Sequence, residues 1–293
     1  MPEALFTIPA ALEPHVRRVT VNGLPIHCYI AGPADAAPLV LVHGLADEAD
    51  SWRRVILPLA ERHRVVALDL PGFGRSAAPQ RALSLAFFAR TLAGLLDALA
   101  IPRAILVGNS VGAMICQRLA VAAPQRVERL VLIGGCLPVA RQLPPPALLA
   151  FLLPGLGEFA YTSLRRSQAE AYATLRPYYH NLDGLPAEER DFLYDRVWAR
   201  VWSDRQRRAF CSTLRWLSID GAARSAEYRS MLRNCAVPTH LVWGESDGIA
   251  ARANAETARA LIPNSRLSLI PECGHLPQQE RPLETIEKIR EME

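Results

Sequence analysis

Apolar positions fall in two rhythms along the 293 residues. Residues 38–44 (PLVLVHG), 63–72 (HRVVALDLPG), 103–108 (RAILVG), 127–135 (VERLVLIGG) and 239–247 (THLVWGESD) are short, nearly unbroken Val/Ile/Leu runs closed by turn residues. Strands covered on both faces read this way, because neither face is left to water. Between them lie stretches with apolar residues at helical spacing: 51–62 with Ser51 as N-cap, 84–100, and 251–263 ending at Pro263. Ahead of them, HVRRVTVNG and LPIHCYIAG predict an antiparallel pair, with Asn22-Gly23 marking its turn. Strand and helix in alternation predict an α/β fold with a mostly parallel central sheet and flanking helices.

The rhythm changes after Cys136. Residues 137–234 carry little strand signal and much helix signal, including a capping box at Ser203-Asp204-Arg205-Gln206 followed by Phe210, Leu214 and Leu217. This predicts a helical insertion, 137–234, within a core of 1–136 and 235–293. The apolar run 147–161 (ALLAFLLPGLGEFAY) is interrupted by Pro154, Gly155, Gly157 and Glu158 and is too short to cross a bilayer. It reads as a buried or half-buried helix with a break.

Reactive residue types cluster where such a sheet collects ligands, at the carboxyl ends of strands. Ser110 sits in Gly108-Asn109-Ser110-Val111-Gly112, after one buried run and before a helical one. A lone G-x-S-x-G is also an ordinary small-residue turn; its place between strand and helix favours a nucleophile. A turn this tight forces the serine backbone into an unfavourable region, and glycines two residues either side relieve the crowding. The following helix also aims its dipole at the site.

A serine hydroxyl needs a base. Of the seven histidines, His275 follows the strand-like run 265–274 on a turn with few apolar neighbours, and it is the candidate base. His15, His27, His63 and His240 lie in or beside strands and suit surface or packed roles. His180 lies in the insertion, and His43 suits a brace for its own loop. Asp247, 28 residues before His275, is the candidate acid that orients the imidazole; Glu245 and Asp69 are its rivals, and a solvated turn is the plainer reading. The backbone N–H of Val111, next to the nucleophile, and that of Leu45, after an early strand, are the expected oxyanion donors.

Composition narrows the partners. Half of the residues are hydrophobic and 21% are charged, as a packed core requires. Net charge is +4, and residues 137–233 hold 14 arginines against 10 acidic residues, so the whole surplus lies in the insertion. Its charges are interleaved, which fits solvated helix faces better than a nucleic-acid footprint. Six cysteines without a C-x-x-C spacing read as buried free thiols rather than metal ligands or disulfides. With no signal-like start, a cytoplasmic location is expected, without stable membrane insertion. No glycine-rich phosphate loop is present that would suggest a nucleotide.

Taken together, LVHGL, DLPGFGRS, VGNSVGAM, GESD and ECGHLPQQERP, with reactive residues in the order Ser…Asp…His, resemble the α/β-hydrolase fold superfamily. The likeness runs over residues 38–136 and from 238 to the end. It implies acyl transfer from a small-molecule ester-like substrate to Ser110 and then to water, with the insertion as a cap and with no metal or organic cofactor. Ala113 stands where many relatives have a second glycine after the elbow. Relatives that open epoxides or remove halide carry aspartate in the elbow, so Ser110 argues against both. Cleavage of a carbon–carbon bond in a vinylogous diketone is an alternative. Those relatives tend to carry tryptophan after the base histidine, where this chain has Leu276. Lactone and thioester hydrolysis stay open, as does a non-catalytic small-molecule receptor. Leu148, Leu149, Phe151, Leu152, Leu153, Phe159 and Tyr161 are candidates for pocket lining, or equally for packing between cap and sheet.

Overall fold

The five continuous apolar runs all become strands of one sheet or extend them. A computed structural model describes residues 6–138 and 146–291, without the side chains of 146–148, among them Leu148. Its eight strands are β1 (Val16–Val21), β2 (Leu24–Ala31), β3 (Pro38–Val42), β4 (Arg64–Leu68), β5 (Ala104–Asn109), β6 (Val127–Ile133), β7 (Thr239–Gly244) and β8 (Ser265–Ile270). They lie in the order β1-β2-β4-β3-β5-β6-β7-β8. Only the pairings of β2 with β1 and β4 are antiparallel. The β1–β2 turn uses Asn22 and Gly23, both at positive φ (50° and 80°), the backbone that a two-residue hairpin demands.

Strand residues alternate between two cores, as the pleat dictates. Val40, Val42, Leu106, Leu130 and Leu132 face one core, and Leu39, Leu41, Val107, Val131 and Ile133 face the other. Helices α1 (Ile56–Ala60), α2 (Leu85–Ala98), α3 (Val111–Ala122), α9 (Arg252–Leu261) and α11 (Pro282–Arg290) flank the sheet, with the short α10 (Pro277–Glu280) ahead of α11. Phe88 and Leu92 of α2, Ile115 of α3 and Ala255 of α9 join the first core; Ile56 of α1 and Ile286 of α11 join the second. All six cysteines are free and buried.

Between β6 and β7 the chain forms α4 (Pro146–Leu152), α5 (Leu156–Ser163), α6 (Gln168–Ala173), α7 (Ala187–Trp202) and α8 (Asp204–Arg233). The break at Pro154-Gly155 separates α4 from α5. These two are less buried than the sequence pattern predicts, since Leu149, Leu153, Leu156 and Phe159 are exposed. Among the described residues, no helix is long and apolar enough to cross a membrane.

Two capping expectations need correction. Ser84 does cap α2, accepting from the Phe87 N–H. Ser51, however, lies inside a 3-10 turn, and its hydroxyl accepts from the side-chain amides of Gln278 and Gln279; a long-range partner outcompetes the local one. At α8, Ser203 accepts from the Gln206 N–H, but the Gln206 side chain makes no return bond among the described residues.

Candidate active site

The register of the sheet sets which loops meet. Val42 pairs with Gly108, Asn109 with Ile133, and Ile133 with Val242. Strands β3, β5, β6 and β7 therefore end level with one another, and their carboxyl-end loops share one edge. β4 and β5 lie on opposite sides of β3, so this edge includes the point where the strand order reverses, the usual crevice of such sheets.

Ser110 is the hinge between β5 and α3. Its backbone has φ 54° and ψ −116°, a strained conformation for a non-glycine residue, costing roughly 1–3 kcal/mol. Its N–H donates to the Ile133 carbonyl over 2.8 Å, so β6 holds the turn. Close approach explains the glycines. A Cβ on Gly108 would collide with the Gly112 backbone, one on Gly112 with the carbonyls of Val42 and His43, and one on Gly135 with the Ser110 carbonyl. Ser110 stays half-exposed amid buried neighbours.

The second piece is an acid–imidazole pair. His275 Nδ1 lies 2.8 Å from Asp247 Oδ2, with both side chains almost fully buried. Asp247 Oδ1 accepts from the N–H groups of Ile249 and Ala250, each at 2.8 Å. That turn fixes the carboxylate with its free oxygen toward the ring. The opposite ring nitrogen, His275 Nε2, is buried and has no hydrogen-bond partner among the described residues. The rival acids are elsewhere: Glu245 is exposed, while Asp69 accepts from the Ala49 and Arg75 N–H groups.

Pair and elbow are tied together by Asn109, which sequence reasoning passed over. Its side-chain amide donates to the His275 carbonyl at 3.0 Å and to the Ile133 carbonyl at 3.3 Å. The signal was a fully buried polar residue closing an apolar strand. Gly134 and Gly135 line the same junction, one against the His275 ring and the other against Ser110.

The helical segment supports the base loop. The His275 N–H donates to the Tyr178 carbonyl at 2.7 Å, and the Tyr178 ring meets the imidazole edge-on with centroids 5.8 Å apart. Glu280, another residue missed, accepts from three backbone N–H groups, those of Gly274, His180 and Asn181. It thus joins the base loop to the inserted chain. Leu276 packs among Tyr179, Leu182, Leu185 and Leu193.

On the other side, Gly44 abuts Ser110. His43 accepts from the Leu70 N–H at Nε2, which leaves Nδ1–H to donate to the Gly44 carbonyl. His43 is therefore a brace between two loops. Among the described residues, Leu45 N–H makes no backbone hydrogen bond, and Val111, the first residue of α3, is one of the positions whose N–H an α-helix leaves free. His240 is a packed residue: burial and the nearby Arg266 lower its pKa to about 4. No group of three or more His, Cys, Asp or Glu able to hold a metal ion occurs among the described residues. A cavity of about 370 Å³ lined by Arg54, His180, Glu272, Glu280 and Arg281, among others, includes neither Ser110 nor His275, and its charged lining does not suit an apolar ester.

Comparison with known proteins agrees with the fold. A family model described as alpha/beta hydrolase fold matches residues 37–282. A 2-hydroxy-6-oxononadienedioate/2-hydroxy-6-oxononatrienedioate hydrolase of Cupriavidus pinatubonensis is 30% identical over 267 residues, covering 87% of this chain and 86% of that one. The crystal structure of a membrane phospholipase A, a bacterial virulence factor, superposes with a TM-score of 0.73 at 27% identity, over 99% of this chain and 87% of that one. A 2-hydroxy-6-oxo-6-phenylhexa-2,4-dienoate hydrolase from Rhodococcus reaches a TM-score of 0.79 at 23% identity, over 94% and 97%.

Proposed function

The chain belongs to the alpha/beta hydrolase fold family, and from that premise we propose that it is a serine hydrolase acting on small or medium apolar carboxylic esters. The observation that carries the reading is the oriented Asp247–His275 pair beside a serine held in a strained turn.

In this reading Ser110 Oγ attacks the ester carbonyl as His275 Nε2 takes its proton. Asp247 fixes the tautomer and stabilises the imidazolium. The N–H groups of Leu45 and Val111 hold the oxyanion. Collapse expels the alcohol, which takes the proton from His275 and leaves an acyl-enzyme. Water, deprotonated by the same imidazole, then releases the acid and regenerates Ser110. Helices α4–α8 act as the cap that shapes the substrate site.

Carbon–carbon bond hydrolysis is the second reading, favoured by the 30% identity to the Cupriavidus hydrolase. Against it, Leu276 follows the base and is committed to a cluster of leucine and tyrosine side chains. A panel of p-nitrophenyl esters, lactones, thioesters and vinylogous diketones separates the two. Ester turnover with a burst of one p-nitrophenol per active site supports the proposal. Turnover of diketones alone transfers the assignment to the second reading, and ligand binding without any turnover transfers it to a receptor.

A further inference from the structure

The loop after β3 carries an unusual load of buried charge. Asp47, Glu48 and Asp50 follow Leu45 within five residues and are all buried, Glu48 and Asp50 completely. A buried carboxylate persists as an anion only with good partners; for Asp47 and Glu48 these come from α7, 150 residues away in the chain, while Asp50 is also held by Arg75 and the Tyr29 hydroxyl. Arg200 Nη2 donates to Asp47 Oδ1 at 2.6 Å and to Glu48 Oε1 at 2.9 Å, and its Nε reaches Glu48 Oε2 at 3.3 Å. Arg196 adds contacts to Glu48 and, at 2.8 Å, to Asp50. Burial alone would raise the Glu48 pKa, yet Arg200 and Arg196 hold it down to about 2.

The backbone between Leu45 and these acids is itself strained, since Ala46, a non-glycine residue, has φ 59°. A left-handed alanine needs its surroundings to keep it there. The forked guanidinium grips the two residues that immediately follow it, whereas the His43 ring, itself held by the Leu70 N–H, binds the Gly44 carbonyl two residues before it.

We propose that Arg200 is a positioning residue: reaching from the helical segment, it pins Asp47 and Glu48 and thereby sets the Leu45 N–H for the developing oxyanion. This rests on the role given to Leu45 above. It makes the seating of α7 a condition for the chemical step, because the ester's negative charge is met by a loop whose geometry α7 completes. A lysine cannot replace the fork, which needs two N–H donors in fixed geometry.

The test uses Arg200→Gln, with Arg200→Lys as the variant that keeps the charge should the first not fold. Hydrogen exchange across residues 43–48 is read together with ester kinetics normalised to titrated active sites. The expected result is exchange in that loop about tenfold faster or more, kcat lower by roughly 10- to 100-fold, and KM within about twofold, as for a reacting group misplaced by about an ångström. Lysine should recover only part of the loss. Unchanged exchange in residues 43–48 overturns the clamp. Faster exchange with unchanged kcat overturns the positioning role and leaves Arg200 a stabilising residue. If the wild type hydrolyses no ester, the functional reading fails by itself, and loop exchange still decides the clamp.

Discussion

The two ends of the helical segment are fastened in opposite ways. The α7 end is held to the sheet domain by buried charge: Arg196 and Arg200 reach the acids after β3, and Arg53 pairs with Glu189. The α4–α5 hairpin is held mainly by α8, through Phe151 and Tyr161 on Phe210 and through Arg215 on Glu158 and the Leu152 and Leu153 carbonyls. It leaves Phe159 two-thirds exposed. From sequence the hairpin stretch reads as a buried or half-buried helix with a break, and the rest of the segment as solvated helix faces. The difference teaches that an inserted segment can be structural at one end and adaptable at the other. Here the structural end lies against the loops that carry the candidate chemistry.

The largest expected effect comes from breaking the fixed end. Replacing Arg196 and Arg200 together by alanine strips Asp47 and Glu48 of their buried ion-pair partners and should destabilise the protein by about 3–5 kcal/mol, measured by urea unfolding. The same network should be acid-labile. Glu48, held near 2 when folded against an ordinary 4.5, contributes stability that is fully present above about pH 4.5 and is lost as pH falls toward 2. In Glu48→Gln, stability should be lower at neutral pH and flatter across that window. A wild-type slope retained in this variant would place the acid sensitivity elsewhere.

A smaller effect is expected at the join to the base loop. Glu280→Gln turns one of the two accepting oxygens into an amide donor, which strands at least one of the three N–H groups, and should cost about 1–3 kcal/mol, with kcat falling more than KM rises. The least effect on stability is expected at the hairpin, where Phe159→Ser should stay within about 0.5 kcal/mol. A loss above about 2 kcal/mol would show the hairpin to be packed as firmly as α7 and dissolve the contrast.

Much of this was legible in the chain, for identifiable reasons. Buried parallel strands announce themselves because both faces demand apolar residues, and Gly108 and Gly112 mark a turn that admits no Cβ. Asp247 could be ranked above Glu245 by its place at a strand end, and the reason became visible as a turn in which Oδ1 caps two N–H groups. Two of the misreadings share one cause. Ser51 looks like a cap but is used by Gln278 and Gln279, and Arg200 looks like one more solvated arginine but is committed to Asp47 and Glu48. Partners 150 to 230 residues away leave no local period to read.

The central claim is that Ser110 is the nucleophile, and covalent capture tests it most directly. Intact-mass analysis after fluorophosphonate treatment should find one adduct on the wild type, mapped to Ser110. Ser110→Ala should show none, and should lose about 10⁴- to 10⁶-fold in kcat while keeping its circular dichroism spectrum. An adduct on another residue, or an alanine variant that still turns over ester, would contradict the account.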